Sequence, residues 1–144
     1  MIRQRLGKDL LFFDGGMGTL LQEKGLAPGE LPETWNLTHS EEIYKIHRQY
    51  IEAGSDIILT NTFGANALKF HDDSCSLEEI IKAAVSHVKK AEREALLQTG
   101  DERKIYTALD VGPTGKLLKP MGDLEFEVLV HPVIRLSWEV LSHP

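Results

Sequence analysis

Residues 38–60 read THSEEIYKIHRQYIEAGSDIILT, and two periodicities meet inside that stretch. Ile43, Ile46, His47, Tyr50 and Ile51 recur at helical spacing and would bury one stripe of a helix. Thr38 and Glu41 stand in the T-x-x-E arrangement of a capping box, which predicts the start of that helix. Gly54 stops the pattern, and Asp56-Ile57-Ile58-Leu59-Thr60 follows as a short β-branched run bounded by turn signals. A capped helix feeding directly into an apolar strand is the repeating unit of an α/β protein.

The unit recurs on both sides. Leu10-Leu11-Phe12-Phe13 is a short apolar run of the kind a strand buried on both faces would show. Gly16 to Lys24 predicts a short helix ending at Gly25, and Ala27 to Trp35, with Pro28, Gly29 and Pro32, reads as loop. Ser76 and Glu79 form a second capping box, followed by the stripe Ile80, Ile81, Ala84, Val85, Val88, Ala91 and Ala95, with Gly100 closing the helix. Lys104 to Val111 predicts a third strand, followed by the loop Gly112-Pro113-Thr114-Gly115. Alternation with short connections implies parallel strands covered by helices. Three strands are few for a doubly wound sheet or for a closed barrel, which takes eight strands and about 250 residues.

The totals bound the function. At 144 residues the chain is long enough for one domain, and its net charge of −6 argues against nucleic acid or an anionic membrane as main partner. No apolar run approaches the roughly 20 residues that span a bilayer, and the N-terminus lacks a signal-peptide pattern. The single cysteine, Cys75, excludes an internal disulfide framework and a thiolate-rich zinc site within these residues. It suits a reducing cytoplasm.

In parallel α/β proteins ligands bind at the carboxyl ends of strands. Each unusual polar cluster falls at such an end: Asp14-Gly15-Gly16, then Thr60-Asn61-Thr62-Phe63-Gly64, then Asp110 with residues 112–115. In DGGMGT (14–19), outward backbone N–H groups would suit an anion, and Asp14 an ammonium group; together they would fit the zwitterionic head of an amino acid. A phosphate loop is the rival, although G-G-x-G lacks the G-x-G-x-x-G spacing; a glycine-lined turn with Asp14 as helix cap is the plainest reading. Asn61 and Thr62 could bond a ligand or merely brace their loop, and Phe63 could face a substrate or cover the core. Trp35 is either a pocket wall or a lid on the rim. His47, on an apolar stripe, reads as a core histidine, and His39, His71, His87, His131 and His143 show no metal-ligand spacing. Cys75 reads as a bystander, and Glu92, Arg93 and Glu94 as a solvated helix face.

Three stretches carry a resemblance: DGGMGTLLQ (14–22), PETWNLTHSEEIYKIHRQYIEAGSDIILTNTFGAN (32–66) and ALDVGPTGKLLKPMGDLEFE (108–127). Together they resemble homocysteine S-methyltransferase domains, most closely the one that opens cobalamin-dependent methionine synthases, over nearly all of residues 9–127. The resemblance implies an N-terminal part, about three βα units, of a (β/α)8 TIM-type barrel. It implies methyl transfer to the sulfur of homocysteine, giving methionine, with zinc held by three cysteines and with methylcobalamin as donor. It implies further partners in cobalamin- and folate-binding domains. Carried over, it places the homocysteine head on Asp14 and the backbone of Gly15 and Gly16, with Asn61 and Phe63 on the pocket rim.

The resemblance also sets boundaries. The family's zinc cysteines belong to later strands, so no catalytic or metal-ligating residue is expected in this chain, and alone it is expected to be inactive. Residues 1–127 read as the barrel piece. Residues 128–144 (VLVHPVIRLSWEVLSHP) read as a divergent tail, with Pro132 interrupting any helix, and are expected to come from a frameshift or mis-joined gene model. Open sheet edges would favour marginal stability and self-association. The rivals are a non-catalytic amino-acid-binding or self-associating α/β module and a phosphate-binding sheet.

Overall fold

A computed structural model describes residues 2–68, 70, 74–100 and 102–130. The helices are α1 (Met17–Glu23), α2 (Trp35–Thr38), α3 (Ser40–Glu52), α4 (Leu77–Thr99) and α5 (Phe126–Val130), with 3-10 turns at Ile2–Gln4 and Pro32–Thr34. Between them lie β1 (Ile57–Leu59) and β2 (Tyr106–Ala108). The two strands pair in parallel, Ile57 opposite Tyr106 and Leu59 opposite Ala108. Parallel neighbours need a long crossover, and the 23 residues of α4 supply it. Phe13 adds a parallel bridge on the other side of β1, with Ile57 N–H donating to Phe12 O and Asp14 N–H to Ile57 O, both at 3.0 Å. The fold is α/β with a two-stranded parallel sheet.

The strand expected at Leu10–Phe13 contracts to that one bridge. The Asp56 carboxylate takes the Phe12 N–H at 3.1 Å, where a backbone carbonyl would have extended the ladder. The run is also not buried on both faces: Leu10, Phe12 and Phe13 are 77%, 55% and 59% exposed. Among the described residues nothing pairs with its outer edge. The expected strand at Lys104–Val111 likewise shortens to Tyr106–Ala108, which is half-buried.

The α4 stripe packs as the spacing predicts, with all seven residues buried. In α3, Ile43, Ile46, His47 and Ile51 are buried as expected, but Tyr50 is only half-buried, and Tyr44, outside the expected stripe, is buried instead. Tyr44, Ile51, Val88, Ala91 and Ala95 form one core cluster with Ile58 and Ile105, so the helix pair seals one face of the sheet. Leu21, Trp35, Ile43 and Ile46 form a second cluster beneath α1. Glu94 departs from the solvated face expected of it, because the Tyr44 hydroxyl donates to its carboxylate and ties α3 to α4. Glu92 pairs with Lys89 at 3.1 Å, and Arg93 is exposed.

The two capping boxes fare differently. At α4, Glu79 N–H donates to Ser76 Oγ (3.2 Å) and Ser76 N–H to Glu79 Oε2 (2.9 Å). Gly100 ends the helix in the left-handed region, φ 66°. Replacing Ser76 by alanine is expected to cost about 1 kcal/mol, read as a lowered urea midpoint. The box at Thr38 does not form. Residues 35–38 make a helical turn of their own, and Thr38 Oγ1 donates back to Thr34 O at 3.2 Å. His39 therefore occupies the N-cap without a side-chain cap bond, and α3 begins at Ser40. His71, His131 and His143, and most of the 128–144 segment, lie outside the described residues. No described helix is long and apolar enough to cross a membrane.

Candidate functional site

The segments following Phe13, β1 and β2 converge on a cleft of about 330 Å³. Asp14, Gly15 and Gly16 form one wall; Thr60, Asn61, Thr62 and Phe63 form the second; Asp110 comes from the third segment. These are the three clusters at the strand ends, brought together by the parallel pairing of their strands. Pro32 and Glu33 enter from the 3-10 turn.

Asp14 is held from one side only. Its Oδ2 accepts the Leu59 N–H at 3.0 Å, whereas Oδ1 is buried without a hydrogen-bond partner. Burial raises its carboxyl from 3.8 to about 6; the Leu59 N–H opposes that shift, and the charge of Asp110 adds to it. Burial raises Asp110 as well. Three carboxyl groups in one cleft, those of Asp14, Glu33 and Asp110, with no cation beside them in the lining, create a place that favours a positive ligand group.

The glycines beside Asp14 are set by packing. The Tyr50 hydroxyl donates to Gly16 O at 3.2 Å, and a Cβ at residue 15 would lie 2.7 Å from the Tyr50 oxygen. Gly15 is thus needed for the close approach of Tyr50, while a Cβ at Gly16 or Gly18 would meet nothing closer than 4.0 Å. Gly15→Ala is expected to lower stability by about 1 kcal/mol. Tyr50→Phe in the same chain should restore part of that loss in a urea titration, because it removes the clashing oxygen.

The second wall is braced from several sides. Asn61 Nδ2 donates to Pro32 O (2.8 Å) and Asn36 Oδ1 (3.4 Å), and Asn36 Nδ2 donates to Asn61 O (2.8 Å). Thr62 Oγ1 donates to Asp110 O at 2.8 Å, and Gly112 N–H to Phe63 O at 2.9 Å. Phe63 itself remains 54% exposed at the mouth. Trp35 does not line the cleft. It is 3% exposed in the second core cluster, donates to Glu30 Oε1 at 2.7 Å and stacks on His39 at 4.1 Å. Its indole reaches a carboxylate while its rings fill the core, the usual use of a buried tryptophan.

Glu33 is the residue that sequence reasoning missed. It is 3% exposed, lines the cleft, and its Oε1 accepts the Gly64 N–H at 2.6 Å. The available signal was its spacing: Glu33 and Asn36, three residues apart in a helical turn, fall on one side of it, and both hold the second wall.

The remaining candidates sit elsewhere. His47 is fully buried with both ring nitrogens lacking partners, and burial lowers it from 6.5 to about 3, with nearby His87 adding to the effect. His87 Nε2 bonds Asn36 O at 2.7 Å. Cys75 precedes the N-cap of α4, away from the cleft lining. Among the described residues no three His, Cys, Asp or Glu side chains are placed to hold a metal ion.

With this geometry the relatives can be compared. The family model for homocysteine S-methyltransferase matches residues 11–133. Methionine synthase of Mycobacterium leprae (strain TN) is 31% identical over 132 residues, which is 88% of this chain and 11% of that protein. The metallated form of the homocysteine methyltransferase MmuM from Escherichia coli superposes with a TM-score of 0.78 at 21% identity, over 98% of this chain and 53% of that one. Its apo form gives 0.71 at 22% identity, over 93% and 47%. The chain therefore spans about half the length of these structures and about a tenth of the curated relative. At such identities the structural likeness speaks for a shared fold.

Proposed function

The chain belongs to the homocysteine S-methyltransferase family, and from that membership we propose that its cleft seats the charged head of homocysteine for a methyl transfer giving methionine. The observation that carries this reading is Asp14 Oδ1, a buried carboxylate oxygen left without a partner in the cleft. An ammonium group would complete it with a charge-assisted bond. The backbone of Gly15 and Gly16 would take the carboxylate, and Asn61 and Phe63 would stand on the rim near the sulfur and the donor. In this proposal residues 1–127 are the N-terminal part of a (β/α)8 barrel, which the fold likeness over half of MmuM supports.

Attack by sulfur requires the thiolate, and an alkyl thiol with a pKa of about 8.5 is mostly protonated at neutral pH. Zinc held by cysteines supplies that activation when bound. The residues present do not fit such a site: Cys75 is the one cysteine of the chain and does not line the cleft. We therefore assign residues 1–144 the amino-acid-binding half of the site and no step of sulfur activation. Methyl transfer by these residues alone is not expected, and the methylcobalamin donor and the cobalamin- and folate-binding domains are proposed as parts of the larger enzyme.

Calorimetric titration of the chain with homocysteine, methionine and inorganic phosphate tests the reading. Binding of both amino acids without phosphate supports it. Phosphate binding without either amino acid, or zinc-dependent methyl transfer by this chain, overturns it.

A further inference from the structure

We propose that Glu33 is a positioning residue that sets the substrate-facing wall of the cleft by gripping the backbone of Gly64. A carboxylate that is 3% exposed is costly to bury unless its oxygens are used. The Glu33 carboxylate is used on a main-chain donor, the Gly64 N–H at 2.6 Å, 31 residues away. Gly64 has the shape this grip requires, because a Cβ there would lie 2.9 Å from Glu33 Oε1 and 3.2 Å from Cδ.

The contact belongs to a larger clamp. Residues 32–36 and 60–64 meet through Pro32 O with Asn61 Nδ2, through Asn36 with both the amide and the carbonyl of Asn61, and through Glu33 with Gly64. Trp35, in the middle of the first segment, is anchored in the core and fixes that segment to α1 and α3. Glu33 and Asn36 therefore grip the second wall at two points, on either side of Thr62 and Phe63. Those two residues line the cleft, and Glu33 acts on them through the backbone.

The inference rests on the proposed homocysteine seat for its functional meaning, while its structural content is measured without a ligand. Backbone amide exchange in the full 144-residue chain reads the grip at Gly64, with Ile80, buried in α4, as reference. Glu33→Ala is expected to speed exchange at Gly64 about tenfold or more, with the Ile80 amide nearly unchanged. Glu33→Gln, which keeps an acceptor oxygen, should stay within about threefold of the parent chain. Should Glu33→Ala fail to fold, Gly64→Ala makes the same test from the other partner, because its methyl displaces the carboxylate.

If the chain binds homocysteine, Glu33→Ala should weaken that binding about tenfold and Glu33→Gln should restore most of it. Uniform acceleration at Gly64 and Ile80 would mark a merely structural role and overturn the proposal. So would an unchanged amide at position 64 in Glu33→Ala or Gly64→Ala. A chain that shows the selective Gly64 effect but binds no homocysteine would sink the substrate reading and leave the grip standing.

Discussion

Asp14→Asn is expected to weaken homocysteine binding about a hundredfold, the usual loss when a buried charge-assisted bond is reduced to a neutral one. The loss should come without unfolding. The Asp14 carboxyl is raised to about 6 by burial, so its ionised form is a burden on the folded state at neutral pH. A raised carboxyl in the folded state favours folding below its ordinary range. That contribution fades as pH rises through about 6. Asparagine removes the burden, and after allowance for partial solvation the variant should gain on the order of 1 kcal/mol at pH 8. Weaker binding with an unchanged or higher urea midpoint is thus the expected pair of results. The parent chain should also lose affinity as pH falls below about 6, where Asp14 takes up a proton. An affinity independent of pH between 5 and 8, or an Asp14→Asn variant that binds normally, would remove Asp14 from the seat.

The second large effect is acid instability centred on His47. Its ring is buried beside His87, and neither nitrogen has a partner, so protonating it in place is unfavourable. In the unfolded chain its pKa is about 6.5. A base depressed to about 3 in the folded state contributes stability that is complete above 6.5. Below that value the contribution is lost as pH falls toward about 3. The slope is about 1.4 kcal/mol per pH unit at its steepest, so roughly 2 to 3 kcal/mol should be gone by pH 4.5. Asp14 acts in the opposite sense over part of this range, since its raised carboxyl takes up a proton more readily in the folded state. Comparison with His47→Leu cancels that common term. The leucine variant should be as stable as the parent at pH 8 and clearly more stable at pH 4.5; equal acid sensitivity of the two chains would show that His47 is not its source.

Much of this architecture was legible in the residues, and the failures have physical causes. The stripe of α4 emerged intact, and that of α3 did so at its Ile and His positions, because 3.6-residue spacing of Ile and Val has few other uses. The tyrosines exchanged places, Tyr44 being buried and Tyr50 half-buried. Ser76 with Glu79 and the stops at Gly54 and Gly100 appeared where their chemistry placed them, with φ values of 109° and 66° at the two glycines. Thr38 misled because a T-x-x-E pattern cannot reveal that the preceding residues, anchored by Trp35, already form a turn that consumes the hydroxyl. The run at 10–13 misled because an apolar strand pattern says nothing about how many neighbours are present to pair with it. At the cleft, the polar clusters were visible as exceptions at strand ends. Glu33 was not, since a carboxylate between two prolines and a tryptophan looks like ordinary loop chemistry until its long-range partner at Gly64 is known.

One feature of the third segment reaches further than its size. A Cβ at Gly112 would lie 2.5 Å from Phe63 O and 2.9 Å from two carbons of the Phe63 ring. The ring at the cleft mouth therefore rests on bare backbone, at a position that does not itself line the cleft. A side chain at 112 would collide with both the carbonyl and the ring of Phe63, so the placement of that ring in the cleft lining depends on the absence of a methyl group one segment away.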